Sequence, residues 1–144
     1  MTLNRRRLLC FAGGSAGLAA LGGACGDQTG SPPTGPVSAG NVSALAVGAL
    51  RVMGNVAVGR DDSGVYAMSS VCTHAGCLLG AARGTIAAGL VCPCHGSTFD
   101  GDGNVTRPPA PVALQHYQVT IGADGSITVD GSQPVGASTR APVG

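Results

Sequence analysis

The sequence predicts an all-β domain, and three observations carry that prediction. Beyond residue 40 no stretch sustains a 3.6-residue apolar period between helix-capping signals. Apolar segments are instead short, rich in Val and Ala, and broken every few residues by Gly, Asn or Asp. Finally, Leu114 to Ile121 and Ser126 to Val129 flank Gly122-Ala123-Asp124-Gly125, a hairpin signature. Short strands with frequent turns argue for an antiparallel sandwich or barrel.

Taken in order, the chain begins with an address. Asn4-Arg5-Arg6-Arg7-Leu8-Leu9 leads into a Gly/Ala-rich apolar run ending at Ala24. A charged head, an apolar middle and a small-residue end make an export signal. The adjacent arginines resemble a twin-arginine signal, with Asn4 where Ser or Thr is usual and Leu8 where Phe is usual. The 17 residues from Leu8 to Ala24 also reach the short edge of a bilayer span. Residues 1–24 therefore read as a signal or a membrane anchor. Leu21-Gly22-Gly23-Ala24-Cys25 is similar to a lipoprotein cleavage site, its leucine one place further from the cysteine than usual, which makes Cys25 the candidate lipidation site. Residues 25–40, with Pro32, Pro33 and Pro36, read as a flexible tether.

Residues 41–130 hold the domain. Leu45 to Val52, Asn55 to Val58 and Val65 to Ser70 read as strands, punctuated by Gly54-Asn55 and Asp61-Asp62-Ser63-Gly64. Thr85 to Ala87 and Gly89 to Val91 read as a tight pair. Ser97 to Asp100 leads into the turn Gly101-Asp102-Gly103-Asn104. The Gly/Pro/Ser/Thr-rich residues 131–144 read as a loosely ordered tail. His116 is expected at the surface, and Asp61, Asp62, Asp100 and Asp102 in turns.

Composition narrows the function. With 25 glycines and no Trp the core is thin, so a covalent or metal staple is expected. A net charge of +1 gives no case for nucleic acid. Every basic residue is Arg and every acidic one Asp, and three of the arginines sit at positions 5–7.

The chemistry is confined to two stretches, Cys72-Thr-His74-Ala-Gly-Cys77 and Cys92-Pro-Cys94-His95-Gly-Ser97. They contain four of the six cysteines and two of the three histidines. Disulfides alone allow three pairings of the four cysteines. The regular placement of the histidines, C-x-H in one loop and C-x-x-H in the other, points further, to a metal centre held by two Cys/His pairs. Cys77 and Cys94 are then free to pair. A tetrahedral zinc is one possible occupant, but zinc sites favour C-x-x-C and H-x-x-x-H pairs. A c-type haem needs C-x-x-C-H, and Cys92-Pro-Cys94-His95 is one residue short.

These two motifs, in this order, resemble the Rieske iron–sulfur family. The resemblance runs from about Leu45 to Val129 and includes Pro108-Pro109-Ala110-Pro111, similar to the family's proline loop. It implies a sandwich of small antiparallel sheets with a two-loop cluster-binding subdomain. It also implies a [2Fe–2S] cluster, with Cys72 and Cys92 on one iron and His74 and His95 on the other. Cys77 and Cys94 match the disulfide of the branch that includes cytochrome bc subunits and the arsenite oxidase small subunit. Ser97 matches a serine that hydrogen-bonds a bridging sulfide. Phe99 stands where high-potential members carry Tyr, so one hydroxyl is missing. Pro109, Ala110 and Pro111 would shield the cluster. The function implied is one-electron transfer outside the cytoplasmic membrane by a tethered protein. The donor would be a quinol or an oxidase subunit and the acceptor a c-type cytochrome, with no catalytic residues in this chain. The alternative from another class is a zinc- and disulfide-stabilised extracytoplasmic binding module.

Overall fold

The computed structural model describes residues 28–144; residues 1–24 and Cys25 lie outside it. In chain order its strands are β1 (Pro36–Asn41), β2 (Leu50–Met53), β3 (Val56–Asp61), β4 (Gly64–Ser69), β5 (Gly80–Ala81), β6 (Leu90–Val91), β7 (Thr98–Phe99), β8 (Val105–Arg107), β9 (His116–Ile121) and β10 (Ser126–Val135). They form two antiparallel sheets. The larger has six strands in the order β1-β10-β9-β4-β3-β2, and the smaller has four in the order β5-β6-β7-β8. The smaller sheet is inserted between β4 and β9. The architecture is the all-β one read from the sequence.

β3 and β4 explain how the two sheets become one body. Side chains alternate across a strand, and here both faces are buried. Val56, Val58, Val65 and Ala67 point into one core, with Ala39, Tyr117, Val119, Ile127 and Val129. Ala57, Tyr66 and Met68 point into a second core, which also holds Cys72, Cys92, Leu90 and Phe99. That second core is the floor of the cysteine loops. Gly59 faces Tyr66 across the β3–β4 pair, where a Cβ would overlap the Tyr66 ring.

Several expectations need correcting. The strand expected over Leu45 to Val52 starts only at Leu50, because Val42–Ala44 form a 3-10 turn and Ala49 N–H closes a further turn onto Ala46 C=O at 3.0 Å. The first half of the expected Thr85–Val91 pair is a 3-10 turn over Ile86–Ala88. Thr85 caps it, and it ends at Gly89 with φ 69°. Leu90–Val91 pairs instead with Gly80–Ala81 and Thr98–Phe99. The hairpin at Gly122–Gly125 is as expected, closed by Gly122 N–H to Ser126 C=O at 2.8 Å. Residues 28–40 are not a free tether: β1 pairs with β10, and the Asn55 side chain holds Ser31 C=O at 3.1 Å.

The tail is not loose either. β10 runs to Val135, and Ala141 bridges Val65. Arg140 Nε donates to Asp61 Oδ2 at 2.6 Å and Nη2 to Asp102 Oδ1 at 2.8 Å, with its guanidinium 4.0 Å from the Tyr66 ring centre. The Tyr66 hydroxyl donates to Gly101 C=O at 2.6 Å, and its ring stacks on His116. His116 is thus buried, not superficial, with 2% of its surface exposed. Its Nε2 faces Asp102 C=O at 2.8 Å; a carbonyl only accepts, so Nε2 carries the proton. Loop composition suggested a free tail because the sequence does not show that Arg140 meets two turn aspartates.

Burial alone raises the Asp61 carboxyl. The Arg140 guanidinium and the Ser63 and Gly64 N–H groups outweigh it and hold the carboxyl below its ordinary 3.8. Since the folded value is the lower one, this contribution is complete above the unfolded value and fades as pH falls through the folded one. Arg140→Ala is expected to cost about 1–2 kcal/mol at neutral pH. The gap to wild type should narrow as pH drops below 3.8. Urea unfolding at a series of pH values checks both, and a gap that stays constant into acid contradicts the assignment.

Candidate metal centre

The two motifs fold into twin loops. Cys72 N–H donates to Cys77 C=O at 2.8 Å, and Gly76 N–H returns to Cys72 C=O at 3.0 Å. In the second loop Cys92 N–H donates to Ser97 C=O at 2.8 Å, and Gly96 N–H returns to Cys92 C=O at 3.1 Å. The fifth residue of each must turn through the left-handed region. It is Gly76 at φ 77° in one loop and Gly96 at φ 76° in the other.

This geometry sorts the side chains. The first cysteine of each loop, Cys72 and Cys92, is buried at 2% exposure and is a free thiol. His74 and His95 are exposed, and their rings meet edge to face with centres 4.8 Å apart. Cys77 and Cys94 are bonded to each other, with Cα atoms 6.5 Å apart, and so join the loops covalently. The sulfurs of Cys77, Cys92 and Cys94 lie within 4.8 Å of one another, but a disulfide withdraws two of them from metal binding. The donor set left is two thiols and two imidazoles. Burial, and the Cys92 thiol beside it, push the Cys72 thiol up; the His74 backbone N–H and the Ser97 hydroxyl act the other way. A metal must therefore displace that proton on binding.

The segment Pro109-Ala110-Pro111 closes over the loops. Ser97, fully buried, accepts a hydrogen bond from Ala110 N–H at 2.9 Å. The Ser97 proton is thereby left for another acceptor, and the Cys72 thiol lies nearby. Thr73, which the sequence reading did not single out, donates from its hydroxyl to Val112 C=O at 2.8 Å. Each loop thus contributes one side chain that ties down the proline segment. A Thr between Cys and His carries no signal of this, since its partner lies 39 residues on. Phe99 sits in the second core at 2% exposure, with no hydroxyl to offer the loops. The loops bring together six of the predicted residues, Cys72, His74, Cys77, Cys92, Cys94 and His95, with Ser97 and Ala110 behind them. Cys25 lies outside the described residues.

Comparison with known proteins matches most of the chain to one family. The model of the Rieske [2Fe-2S] domain matches residues 18–118. The iron–sulfur subunit of the cytochrome b6-f complex of Synechococcus sp. (strain CC9605) is 41% identical over 66 residues, 46% of this chain and 36% of that one. The chain thus matches about a third of the length of such curated relatives. The crystal structure of the plasma membrane Rieske protein PetC3 from Synechocystis PCC 6803 superposes with a TM-score of 0.51 at 31% identity, over 65% of this chain and 97% of that one. One chain in a complex of reduced oxygenase and oxidized ferredoxin in carbazole 1,9a-dioxygenase shares the fold, with a TM-score of 0.52 at 24% identity, over 70% of this chain and 97% of that one.

Two outcomes are expected. Ser97→Ala leaves the buried Ala110 N–H without an acceptor, at a cost of about 1–3 kcal/mol. Amide exchange at Ala110 should speed up, and unchanged protection there contradicts the clamp. Replacing Cys77 and Cys94 together by Ser removes a bridge across a sequence separation of 17. That should cost about 3 kcal/mol in urea unfolding.

Proposed function

This chain belongs to the Rieske [2Fe-2S] domain family, and we propose that it passes single electrons through a cluster held between its two loops, outside the cytoplasmic membrane. The observation that carries the reading is the convergence of two free buried thiols and two exposed imidazoles from loops that a disulfide joins. In this reading Cys72 and Cys92 hold one iron, and His74 and His95 the other. When bound, the cluster supplies a one-electron couple, which for Rieske centres as a class lies between about −150 and +300 mV.

The chain's own residues do the rest. The Cys77–Cys94 bond keeps the loops from separating. Ala110 N–H orients the Ser97 hydroxyl so that its proton is available to sulfur. Such a donor favours the more negative, reduced state and raises the potential. Phe99 makes no such contribution and keeps the pocket behind the loops apolar. The exposed His74 and His95 form the edge that a redox partner can reach.

The partners belong to the proposal. A quinol or an oxidase subunit would donate, and a c-type cytochrome would accept. The missing hydroxyl at Phe99 leans towards a small oxidase subunit or carrier rather than a standard quinol-oxidising subunit. Among the described residues no helix is long and apolar enough to cross a membrane. Attachment would therefore come from upstream of Gln28, through residues 1–24 or an acylated Cys25.

Potentiometric titration followed by EPR tests the tuning. Ser97→Ala is expected to lower the midpoint and Phe99→Tyr to raise it. A Phe99→Tyr midpoint equal to that of wild type would contradict the missing-donor account. A colourless protein containing zinc would contradict the function itself.

A further inference from the structure

The chain leaves the domain at an unexpected place. Gln28–Gly30 lie antiparallel to the first cysteine loop, with Thr29 bridging Cys77. Gly30 N–H donates to Gly76 C=O at 2.8 Å, and Leu78 N–H donates to Gln28 C=O at 2.7 Å. A Cβ at Gly30 would overlap the Leu78 side chain, so this strap lies flat on the loop. Gln28, the first described residue, therefore lies beside the loop that carries His74.

The same end has a distinct surface. The carboxylate side chains among the described residues, at Asp61, Asp62, Asp100, Asp102, Asp124 and Asp130, all lie outside the loop and proline segments, and Asp27, next to Gln28 in the chain, lies outside the described residues. Arg107 is the one charged residue across Val71–Leu79, Val91–Thr98 and Val105–Leu114. Val112, exposed at 59%, and the exposed Pro109 and Pro111 add apolar surface beside the exposed His74, His95 and Thr106. Such a face loses little on approaching lipid headgroups, whereas a carboxylate-bearing face would be repelled by anionic ones.

We propose that the strap Gln28–Gly30 holds the histidine-bearing end of the domain against the bilayer surface, with anionic lipid headgroups as its partner. The proposal rests on the membrane attachment inferred above and adds an orientation to it. Cys25 precedes Gln28 by three residues, which span at most about 11 Å. An anchor at Cys25, or at a run ending at Ala24, therefore keeps the first loop close to the bilayer while the strap stays paired.

The test uses the full chain, loaded with cluster and processed by its expression host, on vesicles of phosphatidylcholine and phosphatidylglycerol. A small fraction of the lipids carries a gadolinium chelate on the headgroup. Microwave power saturation then reads how strongly those headgroups relax the EPR signal of the reduced cluster. Two variants serve as comparisons. Gly30→Pro removes the donor to Gly76, and a long Gly/Ser insertion between Cys25 and Gly26 frees the domain without touching the strap. Wild type is expected to show severalfold stronger relaxation than either variant at equal vesicle binding. If Gly30→Pro fails to load cluster, the insertion variant alone makes the comparison. Vesicle-bound wild type relaxed no more than the insertion variant overturns the orientation and leaves the attachment standing. Wild type that does not bind vesicles at all removes the attachment, and the orientation with it.

Discussion

The arrangement depends on one covalent constraint, the bond between Cys77 and Cys94. Neither cysteine loop contains regular secondary structure between its flanking strands, and the β5–β6 ladder joins the two loops only at their bases. Each is internally stiff, because a cysteine N–H and a left-handed glycine close it on itself. What remains free is the relation of one loop tip to the other, and the disulfide removes that freedom. The proline segment completes the enclosure through Ser97 and Thr73, one hydrogen bond from each loop.

The larger sheet supplies the floor. β3 and β4 are buried on both faces, so Val56-Ala57-Val58 and Val65-Tyr66-Ala67-Met68 serve two cores at once. One core closes the six-stranded sheet, and the other backs the thiols. Tyr66 links the two regions further: its ring contacts both Arg140 and His116, and its hydroxyl reaches the turn after β7. The tail therefore steadies the small sheet that carries the loops, although it contributes no residue to the centre.

Much of this was legible in the sequence because the chemistry is local. Cys72, His74, Cys92 and His95 fall in two six-residue motifs, and each Gly marks its own turn. The Gly122–Gly125 hairpin was equally local. What escaped was non-local. Leu45 to Ala49 has strand composition but is turned by contacts the sequence does not announce. Gly80–Ala81 is too short to signal a strand, and exists because Leu90–Val91 needs a partner. His116 is buried because Asp102 C=O and the Tyr66 ring receive it. Arg140 and the strap at Gln28–Gly30 look like tail and tether until their partners, 79 and 48 residues away for Arg140–Asp61 and the Thr29–Cys77 bridge respectively, are in place.

The central claim is that the two loops hold an iron–sulfur cluster through two thiolates and two imidazoles. Pulsed EPR of the reduced protein measures it most directly, by counting the strongly coupled ligand nitrogens. The account predicts two in wild type, with one of the two couplings lost or replaced when either His74 or His95 is changed to Cys and the other is left in place. A wild-type protein with no coupled imidazole nitrogen, or one whose couplings survive both substitutions unchanged, would contradict it.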